Sequence, residues 1–233
     1  MKIQKNIYKN YCIYFLEENF LELAKDIVDK KIDVTKIIKD TKRNYVSRIK
    51  YRNDYYILKC PRNEQLKIQK KILTLFKKGE VLNTFFNINS LIEKGINCFA
   101  RPYLAIVNKR YGMIKESYLV LEYVEDDEPF SFEQLKKILD VSEILLKNSR
   151  YHGDFNLSNI LLQKNNTIKL IDTQGKRCFF NNYRHNYDLL TLEESIYREN
   201  GISGKFGKMD FYKKNISYYI AYNIKKWKKI LKK

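Results

Sequence analysis

The chain has 233 residues, enough for one sizeable core or two small lobes, and 44% of them are hydrophobic, an ordinary share for a globular protein. Its 45 Lys and Arg outnumber 27 Asp and Glu, giving a formal net charge of +18. Such a field favours anionic partners (nucleic acid, phospholipid headgroups or a phosphorylated glycan) without choosing among them. No run of about 18 apolar residues predicts a transmembrane helix. The charged start Met1-Lys2-Ile3-Gln4-Lys5-Asn6 lacks the apolar stretch of a signal peptide. Cys12, Cys60, Cys98 and Cys178 are scattered, with no C-x-x-C, which points to reduced cytosolic thiols and no zinc site.

In chain order, alternation of Ile7, Tyr8, Tyr11, Ile13 and Phe15 predicts one or two short strands within residues 1–16. Leu21, Leu23, Ala24, Ile27 and Val28 fall at helical spacing in residues 17–31. Three strands follow, at residues 34–39, 45–51 and 54–60, with the last turn at Arg52-Asn53-Asp54. The earlier turn, Asp40-Thr41-Lys42-Arg43-Asn44, contains no glycine. Residues 64–95 read as helix broken at Gly79, with Val81, Leu82, Phe85, Ile88 and Leu91 on one apolar face. Strands are expected at residues 98–107 and 117–124, and then the composition shifts to the acidic run 125–128. That shift marks a boundary between an N-terminal part, 1–124 (with 1–31 as an extension), and a C-terminal part, 125–233. Residues 130–149 predict a helix capped by Ser131 and Gln134.

The chemistry-bearing stretch comes next, at residues 151–175. Ile160-Leu161-Leu162, the turn Lys164-Asn165-Asn166, and Ile168-Lys169-Leu170-Ile171 read as strand, turn, strand. Such a hairpin brings Asn159 and Asp172 together at one end, with Asp154 on the loop leading in. Phosphoryl transfer needs an acceptor hydroxyl oriented by a carboxylate, and magnesium held against the phosphates by few protein oxygens. One Asp for the hydroxyl, with one Asn and one Asp for the metal, is the smallest such set. Asp188 opens the next helix, where an N-cap fits. Residues 201–233 hold ten lysines and one aspartate, a net +9. Ile216, Ile220, Ile224, Trp227 and Leu231 share one helical face there. It suits packing on the core over 211–224 and an anionic membrane surface over 225–233.

The pattern His152-Gly153-Asp154, then Asn159, then Asp172-Thr173-Gln174-Gly175 resembles the catalytic core of the protein-kinase-like superfamily, in its small-molecule and sugar kinase branch. The departure is one inserted position relative to Asp-Phe-Gly. The resemblance implies an α+β, bilobal protein-kinase-like fold, with a small β-rich N-lobe and a mainly helical C-lobe. It implies Asp154 as catalytic base, Asn159 and Asp172 as Mg²⁺ ligands, and His152 as a structural brace. Asp188 resembles the aspartate that braces the catalytic loop of kinase-like folds from below, a reading that fits equally well as the N-cap. It further implies Lys59 as the lysine on the α- and β-phosphates of ATP, paired with Glu80 (alternatives Glu64 and Glu93). Backbone groups of Glu122 and Val124 would bond the adenine, with Leu121 behind it. Lacking a Gly-rich loop, the chain would cover the phosphates with other backbone amides or with Lys42 and Arg43.

Chain length, the Lys42-Arg43-Asn44-Tyr45-Val46 turn, the Tyr151-His-Gly-Asp core, Ile171-Asp172-Thr173-Gln174-Gly175 and the basic C-terminus resemble the lipopolysaccharide core heptose(II) kinases. This resemblance implies ATP- and Mg²⁺-dependent phosphorylation of a heptose hydroxyl on a lipid-linked glycan, the lipopolysaccharide core. It places the protein in the cytoplasm, peripheral at the anionic inner face of the inner membrane. An aminoglycoside-type kinase is disfavoured by the basic charge, and a protein kinase by the short segment after Gly175. Nucleic-acid binding on a dead kinase fold is disfavoured by retention of Asp154, Asn159 and Asp172; no nucleic-acid partner is expected.

Overall fold

Two-residue alternation decides the architecture of the first half. In the computed structural model, β1 (Gln4–Tyr8), β2 (Tyr11–Phe15), β3 (Asp33–Asp40), β4 (Asn44–Tyr51), β5 (Asp54–Pro61), β6 (Pro102–Arg110) and β7 (Met113–Glu122) form one antiparallel sheet. Their order is β1-β2-β6-β7-β5-β4-β3. Successive side chains point to opposite faces, so a central strand must be apolar on both sides to carry a helix on each. Leu104 and Ile106 of β6 join Ile13, Phe15 and Phe20 in one core, under helix α1 (Asn19–Val28). Ala105 and Val107 join Leu82, Phe85 and Leu119 in a second. Those last apolar groups come from β7 and from α4 (Glu80–Glu93), which follows the short helices α2 (Asn63–Leu66) and α3 (Ile68–Leu73). Edge strand β3 is exposed throughout and carries two register shifts, features that discourage edge-to-edge pairing.

The expected break at Gly79 is present, and its cause is conformational. Gly79 has φ +85°, and a Cβ there would lie 2.3 Å from Ile114 Cδ1, so only glycine fits. The strand expected from Cys98 begins instead at Pro102. Proline lacks the N–H a ladder needs and is tolerated as a first strand residue. The residues before it pair elsewhere.

The described residues are 2–66, 68–125, 130–163, 167–178, 182–199 and 212–231. The expected turn at 164–166, the acidic positions 126–128, residues 179–181 and the basic stretch 201–211 lie outside them. The chain divides into two compact units, Met1–Gly95 with Ala100–Val124, and Ile96–Phe99 with Glu125–Lys233. The fold is thus α+β, with a strand-rich first unit and a mainly helical second one.

The second unit contains α5 (Phe132–Lys147), β8 (Arg150–Tyr151), a 3₁₀ turn (Leu157–Asn159), β9 (Ile160–Leu162), β10 (Ile168–Leu170), β11 (Lys176–Arg177), α6 (Tyr183–Glu199) and α7 (Ile216–Ile230). The Ser131 amide donates to Gln134 Oε1 at 2.8 Å, the expected capping contact at the start of α5. Hairpin β9–β10 pairs Ile160 with Leu170 and Leu162 with Ile168. Phe99 adds a parallel bridge to Leu170, and the Leu170 amide donates to Cys98 O at 2.7 Å.

Helix α7 packs on α6, but by the face opposite to the one its isoleucines suggest. Tyr218, Ala221 and Lys225 are its buried residues, and Tyr218 and Ala221 join Leu189, Leu190 and Tyr212 in a core. Ile216, Ile220, Trp227 and Leu231 are exposed. The Lys225 ammonium is buried because it finds Glu194 at 2.9 Å and Thr191 Oγ1 at 2.9 Å, so charge pairing overrides the apolar pattern.

Candidate active site

Antiparallel pairing of β9 and β10 does what the spacing predicted. The Ile171 amide donates to Asn159 O at 3.0 Å, so Asn159 and Asp172 leave the same end of the hairpin. Asp172 has φ +56°, a left-handed conformation that aspartate tolerates better than most residues. Asp154 lies on the loop between β8 and the 3₁₀ turn, and it is exposed.

Asn159 ties that loop to the hairpin. Its Nδ2 donates to Asp154 O at 2.9 Å and more weakly to Asp154 Oδ2 at 3.4 Å. Both partners are acceptors, so the amide nitrogen must face them and Oδ1 must face away. That oxygen receives no hydrogen bond among the described residues. One amide oxygen and the Asp172 carboxylate form a hard-oxygen set of the kind Mg²⁺ takes from a protein when phosphates and water complete its shell. The residues present therefore fit the metal.

His152 and Asp188 hold the loop from beneath. Asp188 is not an N-cap: α6 has already begun at Tyr183. Its buried carboxylate accepts the amides of His152 at 2.6 Å and of Gly153 at 3.0 Å. Gly153 has φ +98°, which explains the glycine between His152 and Asp154. The His152 ring lies between the Asp154 amide, which donates to Nδ1 at 3.3 Å, and Ile171 O, 3.0 Å from Nε2. Nδ1 must accept and Nε2 must donate, so the ring is neutral with its proton on Nε2. One imidazole thus fixes the backbones of both Asp154 and Ile171. Burial pushes the Asp188 carboxyl up to about 7, against the lowering effect of the two amides.

Several supports were not anticipated. Thr173, next to Asp172, is buried. Its hydroxyl donates to His152 O at 2.9 Å and accepts the Gly175 amide at 3.2 Å. Arg150 donates to Gly175 O at 2.8 Å, and Ser195 Oγ accepts the Leu157 amide at 3.1 Å. A threonine or serine gives no sequence signal of this kind, because its partner is a backbone atom distant in sequence.

In the first unit, Lys59 is half-buried on β5, opposite Val46 of β4 and Leu119 of β7. It is therefore an inner-strand lysine and not a solvated edge residue. Leu119 belongs to the α4-side core, so Lys59 shares that face. Glu80 begins α4, but its carboxylate makes no ion pair or hydrogen bond with Lys59; it has no partner among the described residues. Glu64 instead accepts the Glu80 amide at 3.0 Å and so caps α4. Glu122 exchanges contacts with Arg101: its amide donates to Arg101 O at 2.7 Å, and its Oε2 accepts the Arg101 amide at 3.0 Å. That amide is spent and is not on offer to a base. Leu121 is half-buried against the α4-side core, and Val124 is buried.

The glycine-free turn is built on Thr41. Its Oγ1 accepts the amides of Arg43 at 3.3 Å and Asn44 at 3.0 Å. These amides cannot also cradle a phosphate. The side chains of Lys42 and Arg43 are exposed and unpartnered among the described residues.

A family model described as lipopolysaccharide core biosynthesis protein (WaaY) matches residues 2–233. The chain belongs to the WaaY family. No curated protein matches it. Membership assigns this WaaY-family chain a role in building the lipopolysaccharide core. No helix among the described residues is long and apolar enough to cross a membrane.

Proposed function

We propose that the chain is an ATP-dependent kinase that phosphorylates a heptose hydroxyl of the lipopolysaccharide inner core. The observation that carries this reading is the three-residue set at the hairpin end. Asp154 is exposed, Asn159 turns an unpartnered Oδ1 outward while bonding to Asp154, and Asp172 leaves the strand beside it.

Asp154 accepts a hydrogen bond from the sugar hydroxyl, orients it, and takes its proton as the oxygen–phosphorus bond forms. The bond from the γ-phosphorus to the β-γ bridging oxygen breaks in the same displacement, and ADP carries away that electron pair. Asn159 Oδ1 and Asp172 would hold Mg²⁺, which would supply charge neutralisation on the phosphates. Lys59 pairs with the α- and β-phosphates, and the turn cations Lys42 and Arg43 replace the amides of a Gly-rich loop. Incubating the protein with labelled ATP, Mg²⁺ and core lipopolysaccharide unphosphorylated at the target heptose should label the glycan. Slow ATP hydrolysis without glycan label would sink the heptose assignment.

The acceptor is lipid-linked, and α7 carries a surface suited to meet its membrane. Trp227, Ile230 and Leu231 are exposed among Lys226, Lys228 and Lys229. Burying one such apolar side chain contributes about 1.5–3 kcal/mol, and each nearby lysine about 1 kcal/mol at an anionic surface. The protein should therefore sediment with phosphatidylglycerol vesicles and not with phosphatidylcholine vesicles. Trp227→Ala should weaken that binding roughly tenfold. Equal sedimentation with both lipids would remove the membrane from this reading.

A further inference from the structure

The first unit carries an apolar patch that its own fold leaves open. Leu66, Ile68, Ile72, Leu73, Leu75 and Phe76, on α2, α3 and the turn after α3, are all exposed. Ile68 and Phe76 keep 75% and 82% of their surface in solvent. A single exposed apolar side chain is ordinary, but a run of this density marks an interaction surface.

Two contacts fix the segment in place. Thr74, buried just after α3, donates to Lys71 O at 2.6 Å and accepts the Ile114 amide of β7 at 3.0 Å. Glu64 of α2 accepts the Glu80 amide of α4 at 3.0 Å. The polar groups Glu64 and Thr74 thus hold the stretch against the sheet and α4, while its large apolar groups face outward.

Charge decides what can cover the patch. Lys70, Lys71, Lys77 and Lys78 flank the apolar groups, and no acid lies between Leu66 and Lys78. None of the four lysines has a carboxylate partner among the described residues. A second copy, packed symmetrically, would bring the same lysines face to face, and each copy carries a net +18, so self-association is opposed. An anionic bilayer meets both demands. Its acyl chains take the apolar groups, and its headgroups take the ammonium groups, whose long stems reach out to them.

We propose that α2–α3 is a membrane-docking patch, through which the first unit inserts Ile72, Leu75 and Phe76 among anionic headgroups. The inference rests on the proposed lipid-linked acceptor for its choice of partner. It adds a contact separate from α7, on the unit that carries Lys59. Because Thr74 and Glu64 tie the patch to β7 and α4, docking there sets the orientation of the sheet on the bilayer that presents the acceptor.

The chain has one tryptophan, so a reporter can be placed on the patch. Phe76→Trp/Trp227→Phe carries its only indole there. With phosphatidylglycerol vesicles its emission should shift to the blue, and brominated acyl chains should quench it; phosphatidylcholine vesicles should do neither. In sedimentation with phosphatidylglycerol vesicles, Ile72→Ser/Phe76→Ser should bind at least about tenfold more weakly than wild type. A control at exposed apolar positions of β3, Ile37→Ser/Ile38→Ser, should bind as wild type does. Thr74 is untouched in every variant, and thermal melting checks that each is folded. Absence of quenching at position 76, full binding by the patch variant or an equal loss in the control overturns the proposal. A blue shift produced by polyglutamate would assign the patch to an acidic polypeptide and overturn it. So would a shift that grows with protein concentration without lipid, alongside a dimer in sedimentation velocity, since a second copy would then cover the patch. Nucleotide and glycan are absent throughout, so the kinase reading stands or falls separately. Sedimentation of wild type with no response at position 76 overturns this inference alone, and no sedimentation at all removes the membrane reading with it.

Discussion

Asp154→Asn should abolish phosphate transfer while leaving the loop in place. The variant keeps its backbone carbonyl, and that carbonyl accepts the shorter Asn159 contact, at 2.9 Å. The His152 contact uses the Asp154 amide and is also retained. Only the carboxylate is lost, and with it the acceptor that orients the hydroxyl and takes its proton. General-base groups of this kind contribute about 10²–10⁴-fold. We therefore expect kcat to fall by about that factor, with the KM for ATP and the melting temperature close to wild type. Steady-state transfer to the core glycan, measured beside thermal melts, separates the outcomes. Transfer within tenfold of wild type would show that Asp154 is not the base. A lowered melting temperature would show that the carboxylate serves the fold.

The parts of this site visible in the sequence are those set by backbone pairing. Residues 160–171 announce a hairpin through two apolar runs, and the register that pairs Ile160 with Leu170 puts Asn159 beside Asp172. Strands β4 and β5 are equally plain, because alternation around Arg52-Asn53 leaves little choice of turn. What stayed hidden depends on partners far along the chain. Periodicity assigns the isoleucines of α7 to an inner face, but the helix buries Tyr218, Ala221 and Lys225 because Glu194 and Thr191 of α6 satisfy the lysine. Glu80 stands where a lysine partner was expected, while Glu64 takes its amide; either glutamate suits a helix start. The first two strands and α1 looked like an appendage, yet Ile13, Phe15 and Phe20 lie in the main core of the first unit.

Asp188→Ala should damage both stability and catalysis, although Asp188 makes no contact with substrate in the proposed mechanism. Removal of its carboxylate leaves the buried amide of His152 and the amide of Gly153 without acceptors. Each buried orphan costs about 1–3 kcal/mol, so a loss of about 2–5 kcal/mol is expected in denaturant unfolding. The loop that carries Asp154 is then unpinned on one side, and a displacement near 1 Å can cost about 10²-fold in rate. Asp188→Asn separates the geometric role from the ionic one, because its side-chain oxygen can still accept one amide. The sign of the pH effect follows from the direction of the shift. The carboxyl, pushed from 3.8 up to about 7, holds its proton more tightly in the folded state than in the unfolded one. Its contribution to stability is fully present below pH 4 and is lost as pH rises toward 7. The stability advantage of wild type over Asp188→Asn should therefore shrink between pH 4 and pH 7 and stay level above that. Parallel profiles for the two proteins across this range would show a carboxylate ionised throughout. The two amides would then outweigh the burial that opposes its charge.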